Sequence, residues 1–322
     1  MNLIINTKSF SFPLLKNLKT SQGVIQDKKG WLIQIKNKNG DKGWGEVSPI
    51  SKYELKRCQN ILNNIGHKST RLTLENGIKV WPKSLAFGIG ASLAELDSII
   101  GEKSHLGWLK APESAYLLNS KGSILEEVNY LVREAGGKNK DLTLKIKVGL
   151  NNNNMEKKLI QKIIQRLTRK MKIRIDVNGG WNFEQAKEWV KALKNESKVE
   201  WVEQPLPANN IDGLLYLSKI MPIAIDESLL ENPSLINTWN GWQIRRPILE
   251  GDPRLLLKEL EEKVPFRALS TTFETGIGKR WLDHLAALQQ FGPTPTAPGL
   301  GPGWCPSSPL FSSDPQQVWD AA

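Results

Sequence analysis

Thr143-Leu144-Lys145-Ile146-Lys147-Val148-Gly149 is the stretch on which the fold of this 322-residue chain turns. Its β-branched and aliphatic residues describe a short buried strand closed by a glycine. Side chains two apart on a strand share a face, so Lys145 and Lys147 project together. Two amines side by side on a buried face repel each other when both are charged. That repulsion, with desolvation, lowers the pKa of at least one and makes it a base near neutral pH. Taken alone, the segment also fits an exposed edge strand with solvated lysines; the chain around it favours the buried reading.

From residue 115 onward, short apolar runs alternate with amphipathic stretches. Strands are expected at 115–118, 142–148, 173–177, 200–203, 223–226, 243–246 and 268–272, with a weaker eighth near 294–297. Helical periodicity covers 125–135, 155–170, 183–195, 212–219, 233–240, 253–263 and 279–290. Strand-plus-helix repeats at this spacing, eight strands in all, give a parallel sheet closed into a (β/α)8-type barrel. A doubly wound α/β sheet is the alternative. No glycine-rich turn follows the first strand, however, as a dinucleotide site would need.

Ahead of the barrel, residues 1–50 read as a three-strand meander. Met1 to Phe12 alternates like a strand, and a hairpin joins 31–35 to 44–47 through Asn39-Gly40. Ser51 followed by Glu54 is a capping-box pattern opening a helix that runs to about Ile65. A second helix is expected over 84–100, with Gly88, Gly90, Ala91 and Ala94 permitting close packing. Strands followed by helices make this an α+β domain. The expected division is 1–105 for that domain, 106–300 for the barrel, and 301–322 for a segment returning to the first domain.

Composition narrows the function. With 39% hydrophobic and 24% charged residues the chain has a soluble globular make-up. No run approaches the roughly 20 apolar residues of a membrane span, and the N-terminus lacks signal-peptide architecture. Cys58 and Cys305 stand far apart in no metal-binding spacing, and read as reduced thiols of a cytoplasmic protein. The net charge of +11 raises the question of nucleic acid. Its lysines and arginines are scattered, as in Glu156-Lys157-Lys158 and Arg169-Lys170, with no dense basic patch interleaved with aromatics. The expectation is therefore no nucleic acid, no membrane insertion, and a small anionic carboxylate substrate; the oligomeric state is left open.

Catalytic groups of such barrels sit at the C-terminal ends of strands. There the chain offers Lys145 and Lys147, then Asp176 with Asn178, Glu203, Asp226, Arg246 and finally Thr271 with Thr272. From Lys147 to Arg246 the steps are about 20–30 residues, roughly one strand-helix unit each. Singly, Asp176 could cap a turn, Glu203 could pair with a helix lysine and Asp226 could cap a helix. Together, three carboxylates on consecutive strands would repel unless a divalent cation joined them. Oxygen-only ligands favour Mg²⁺ over zinc, with Mn²⁺ the alternative. His67, His105 and His284 all lie away from strand ends, so no histidine base is expected. Thr271 and Thr272 read either as ligands for a substrate carboxylate or as plain strand residues. The glycine-rich run 298–303 reads as a loop.

Lys145-Ile146-Lys147, Ile175-Asp176-Val177-Asn178-Gly179-Gly180-Trp181, Trp201-Val202-Glu203-Gln204-Pro205-Leu206 and Ile223-Ala224-Ile225-Asp226-Glu227-Ser228 resemble the enolase superfamily in its muconate-lactonizing subgroup. The resemblance extends to Gly43-Trp44-Gly45-Glu46-Val47-Ser48-Pro49, which matches the loop of an N-terminal α+β capping domain, and to Ala86-Phe87-Gly88 with Ala94-Glu95-Leu96. Within the subgroup, the short chain and the loop from Ser270 to Gly278 are most similar to the o-succinylbenzoate-forming members, which serve menaquinone or phylloquinone synthesis.

This resemblance implies a modified TIM barrel and a lysine base working with Mg²⁺ on an enediolate. It makes Lys147 the base, Lys145 and Arg246 supporting cations, and Asp176, Glu203 and Asp226 the metal ligands. Ser48, Asn178, Thr271 and Thr272 become substrate contacts. One departure stands out. The family has a second lysine before a proline at the end of the sixth strand, where this chain has Arg245-Arg246-Pro247. Arg246 takes that role; an offset to Arg245 would point across the sheet the other way. N-acylamino-acid racemases and dipeptide epimerases share the scaffold and are the alternative activity. A non-catalytic barrel that only binds is the remote one.

Overall fold

In the computed structural model the N-terminal alternation becomes β1 (Asn2–Thr20), with Leu3, Ile5, Phe10, Phe12 and Leu14 turned inward. Residues 2–20, 23–118, 123–137, 140–149 and 153–322 are described by the structure; Met1, at the head of the expected first strand, falls outside them. β1 pairs antiparallel with β2 (Gly23–Lys36), and β2 with β3 (Lys42–Val47), forming the expected hairpin. Ser51 caps α1 (Lys52–Ile65) by accepting from the Glu54 N–H, but the Glu54 carboxylate accepts from Ser84. β4 (Lys68–Thr70) then completes a sheet ordered β3-β2-β1-β4. Thr70 caps α2 (Arg71–Ile78), a two-turn helix too short to stand out by periodicity, and α3 (Lys83–Leu96) follows.

Two glycines of β3 let α3 lie directly on the sheet. A Cβ on Gly43 would sit 1.9 Å from the Ser92 carbonyl oxygen, and one on Gly45 1.9 Å from that of Gly88. Both obstacles are backbone, so neither can step aside. Gly45→Ala is expected to cost about 3 kcal/mol, the upper end of overpacking penalties. An unchanged urea midpoint for that variant would contradict this packing.

The second half repeats strand and helix: β5 (Tyr116–Leu117), α4 (Ile124–Gly137), β6 (Leu142–Lys147), α5 (Asn153–Arg166), β7 (Met171–Asp176), α6 (Phe183–Leu193), β8 (Val199–Glu203) and α7 (Ile211–Ser218). Then come β9 (Ile223–Ile225), the short α8 (Glu227–Glu231) and α9 (Leu235–Thr238), and β10 (Trp242–Arg245). α10 (Pro247–Glu250), α11 (Pro253–Glu261), β11 (Arg267–Leu269), α12 (Gly276–Gln290) and α13 (Pro315–Ala321) complete the chain. β5 to β11 form one seven-stranded sheet in chain order, with parallel pairing from β5 through β10.

Leu144, Ile146, Ile173, Ile175, Val202, Ile223 and Ile225 share a core with Val128, Ile160, Ile163, Trp189, Val190 and Leu214 from the helices. A second cluster holds Trp201, Ala224, Ile244 and Ala268, and the Arg174 guanidinium stacks 4.0 Å over the Trp201 ring while pairing with Glu200. Strands buried on both faces are what a parallel sheet requires. The expected eighth strand at 294–297 does not form among the described residues. Pro293, Pro295 and Pro298 remove the N–H groups a ladder would need, and a single parallel bridge, Ser270 with Gly299, stands in its place.

The chain divides into two compact units. Met1–Pro112, Arg245–Pro265 and Leu269–Ala322 make the first, and Glu113–Ile244 with Phe266–Ala268 the second. No helix among the described residues is long and apolar enough to cross a membrane.

Candidate active site

The second unit gathers the ends of β6 to β9. On β6, Leu144 and Ile146 are buried in the core, while Lys145 and Lys147 alternate with them. The Lys145 ammonium donates to Glu203 Oε1 at 2.7 Å and lies 2.9 Å from Asp176 Oδ2. Its side chain is 18% exposed, against 3% and 2% for the two carboxylates. Burial alone would lower the Lys145 pKa, but attraction to Asp176 and Glu203 outweighs it and raises the value above the ordinary range. Of the two lysines, Lys145 is therefore not the one whose amine is made basic near neutral pH. The dominant charges at its ammonium are the two buried carboxylates, Asp176 and Glu203, not the other lysine.

Lys147 is exposed and donates to Asn178 Oδ1 at 2.9 Å. Asn178, expected to touch substrate, has three partners within the unit, Lys147 among them. Its N–H donates to Asp176 Oδ1 at 3.1 Å and its side-chain amide to Glu227 Oε1 at 3.0 Å. Glu203 also receives the Trp201 indole N–H, at 3.4 Å. Its carboxyl is pushed up, first by burial and then by Asp176 and Asp226, with Lys145 opposing. Asp226 follows the last residue of β9, and its N–H donates to Gln204 Oε1 at 3.0 Å.

Gln204 and Glu227 carry roles that sequence reasoning misses. Gln204 is fully buried in the left-handed region at φ +38°. It accepts from the N–H groups of Asp226 and Ser228 and donates to Ser228 Oγ and Leu206 O, clamping the end of β8 to the start of α8. Glu227 is pushed up to about 7, first by burial and then by repulsion from Asp226 and Asp176. Its Oε2 is buried without a hydrogen-bond partner.

These groups suit a divalent cation by charge. Asp176, Glu203, Asp226 and Glu227 against Lys145 and Lys147 leave this set of six side chains two negative charges in excess when all are ionised. The Lys145 ammonium already stands as a cation between two of the three expected ligands. As placed, no group of three acidic, histidine or cysteine side chains among the described residues makes a ready coordination shell.

In the first unit the remaining expected site residues have partners of their own. Ser48 is fully buried; its hydroxyl donates to Glu46 Oε1 at 2.7 Å and its carbonyl accepts from the Lys28 ammonium at 2.7 Å. Glu46 Oε2 in turn accepts from the N–H groups of Thr275 and Gly278 at the start of α12. Thr271 and Thr272, read as substrate ligands or plain strand residues, both donate their hydroxyls to Glu274. Arg245 is consumed by Glu250 and Glu259, at 2.6 and 2.7 Å. Arg246 Nη1 donates to Thr271 O at 2.6 Å, and the Arg246 backbone N–H donates to Glu250 Oε1 at 2.6 Å. His284 accepts from the Leu109 N–H and burial lowers it to about 4. Both cysteines are free thiols raised to about 11, chiefly by burial.

Comparison with known proteins agrees with this architecture. Residues 125–234 match the family described as enolase C-terminal domain-like. The o-succinylbenzoate synthase of Thermosynechococcus vestitus is 26% identical over 94% of this chain and 93% of its own. An L-Ala-D/L-Glu epimerase of Francisella tularensis subsp. novicida is 25% identical over 70% of this chain and 68% of its own. Among solved structures, the o-succinylbenzoate synthase of Thermosynechococcus elongatus BP-1, complexed with Mg in its active site, superposes with a TM-score of 0.81. That likeness covers 99% of this chain and 100% of the other at 23% identity. The fold is therefore a modified TIM barrel with an N-terminal α+β domain.

Proposed function

From the match of residues 125–234 to the enolase C-terminal domain-like family we propose that the chain is a magnesium-dependent o-succinylbenzoate synthase. Members of the superfamily are enzymes. The observation that carries the reading is the unequal fate of the two lysines: Lys145 is locked as a cation on two carboxylates, whereas Lys147 offers its amine beside a neutral amide.

Asp176, Glu203 and Asp226 would hold Mg²⁺, which supplies Lewis acidity to the substrate carboxylate and acidifies its α-proton. Lys147 takes that proton from 2-succinyl-6-hydroxy-2,4-cyclohexadiene-1-carboxylate. The fixed charges of Lys145 and Arg246 offset the negative charge developing on the carboxylate. Lys147, now an ammonium on the same face, returns the proton to the departing hydroxyl as the C–O bond breaks. Water leaves, and the ring becomes aromatic. The setting is cytoplasmic quinone biosynthesis, menaquinone or phylloquinone.

The epimerase relative supports a second reading, racemisation of N-acylamino acids or dipeptides. That chemistry needs a base on each face of the enediolate. Arginine, with a pKa above about 12, cannot serve as the second, while as a fixed cation it serves a one-base dehydration well. Native protein offered both substrate types is expected to dehydrate the cyclohexadiene and to leave N-succinylamino acids unracemised. Efficient racemisation in both directions would overturn the assignment.

A further inference from the structure

We propose that Glu227 is a positioning residue for Lys147, acting through the side-chain amide of Asn178; this rests on Lys147 being the base. The three groups form a continuous chain: Lys147 Nζ to Asn178 Oδ1 at 2.9 Å, then Asn178 Nδ2 to Glu227 Oε1 at 3.0 Å. Its polarity is forced. An ammonium only donates, so the amide carbonyl must face Lys147, which turns the amide NH₂ toward a group that accepts. Glu227 fixes that orientation.

Both ends of the link are anchored by backbone. Asn178 sits at φ +47°, a left-handed conformation asparagine tolerates better than most residues, and its N–H is held by Asp176. Glu227 lies between Asp226 and Ser228, whose N–H groups both donate to Gln204. The other Glu227 oxygen is buried and has no hydrogen-bond partner, so beyond its own backbone N–H the carboxylate serves Asn178. A free lysine side chain gives up rotamer freedom on being fixed for reaction. Fixing it in advance removes that cost from the proton-transfer step.

The test is a set of four variants read by kcat, KM and the rate of reductive methylation at Lys147, followed by mass spectrometry. Glu227→Ala is expected to lower kcat by about 10- to 100-fold, the scale of a misplaced catalytic group, with KM little changed and Lys147 labelled several-fold faster. Glu227→Gln keeps a carbonyl for Asn178 and is expected to restore most of kcat and the native labelling rate. Asn178→Asp sets two carboxylates face to face and should be severely impaired. Adding Glu227→Gln to Asn178→Asp restores a donor opposite an acceptor at unchanged total charge, and should recover much of the loss. Native kcat and labelling in Glu227→Ala would overturn the proposal. So would a Glu227→Gln variant as impaired as Glu227→Ala, or a double variant no better than Asn178→Asp alone. Should the native protein fail to dehydrate the cyclohexadiene, the functional reading falls, and the labelling rates still decide the link.

Discussion

Lys147→Ala is expected to lose essentially all removal of the substrate α-proton. A positioned general base is worth about 10²–10⁴-fold, and the other strand-end groups are in no state to replace it. Lys145 is held charged by Asp176 and Glu203. An arginine cannot deprotonate at working pH. The histidine whose environment is clearest, His284, lies in the first unit, where its ring nitrogen accepts from the Leu109 N–H. Exchange of the α-proton with solvent deuterium, followed by NMR, reads the loss directly. A Lys147→Ala variant that still exchanges while Lys145→Ala does not would show the two roles reversed.

Lys145→Ala should act mainly on stability. The variant strands Asp176 and Glu203, almost fully buried, without their ammonium. Removing one partner of a buried ion pair costs about 3–5 kcal/mol, since the remaining charge is uncompensated. The native contribution follows from the raised Lys145 pKa: it is fully present below the ordinary lysine value of 10.5 and is lost as pH rises through the higher folded value. The deficit of the variant is therefore expected across neutral pH in metal-free protein, and should shrink when Mg²⁺ is added, because the metal supplies the missing positive charge. Urea unfolding at pH 7 with and without Mg²⁺ measures both. Equal metal-free stability of variant and native protein would show that the ion pair does not hold the site together.

The barrel was legible because its strands are short apolar runs separated by helices of three or four turns, a pattern that survives without tertiary information. The eighth strand was not, since alternation at 294–297 looks strand-like until its flanking prolines are charged with the missing donors. The placement of Asp176, Glu203 and Asp226 at strand ends was legible by spacing. Glu227 was not, because Asp226 fills the strand-end position and the turn into α8 brings its neighbour to Asn178. The direction of the Lys145 shift was equally hidden. Its sign depends on Asp176 and Glu203, which sequence separates from it by a strand and a helix or more. The partner of Thr271 and Thr272, which sequence leaves open between substrate ligands and plain strand residues, is hidden for a related reason. Their hydroxyls are taken by Glu274, and a buried glutamate three residues on looks no different in sequence from an exposed one.

The central claim, a metal-dependent dehydration, is tested most directly by following o-succinylbenzoate formation from the cyclohexadiene substrate in three preparations of native protein. These are the Mg²⁺-loaded protein, the exhaustively chelated protein, and the chelated protein after Mg²⁺ is restored. Turnover is expected in the first, absent in the second and recovered in the third. Full turnover after chelation, or no turnover with Mg²⁺ present, would contradict it.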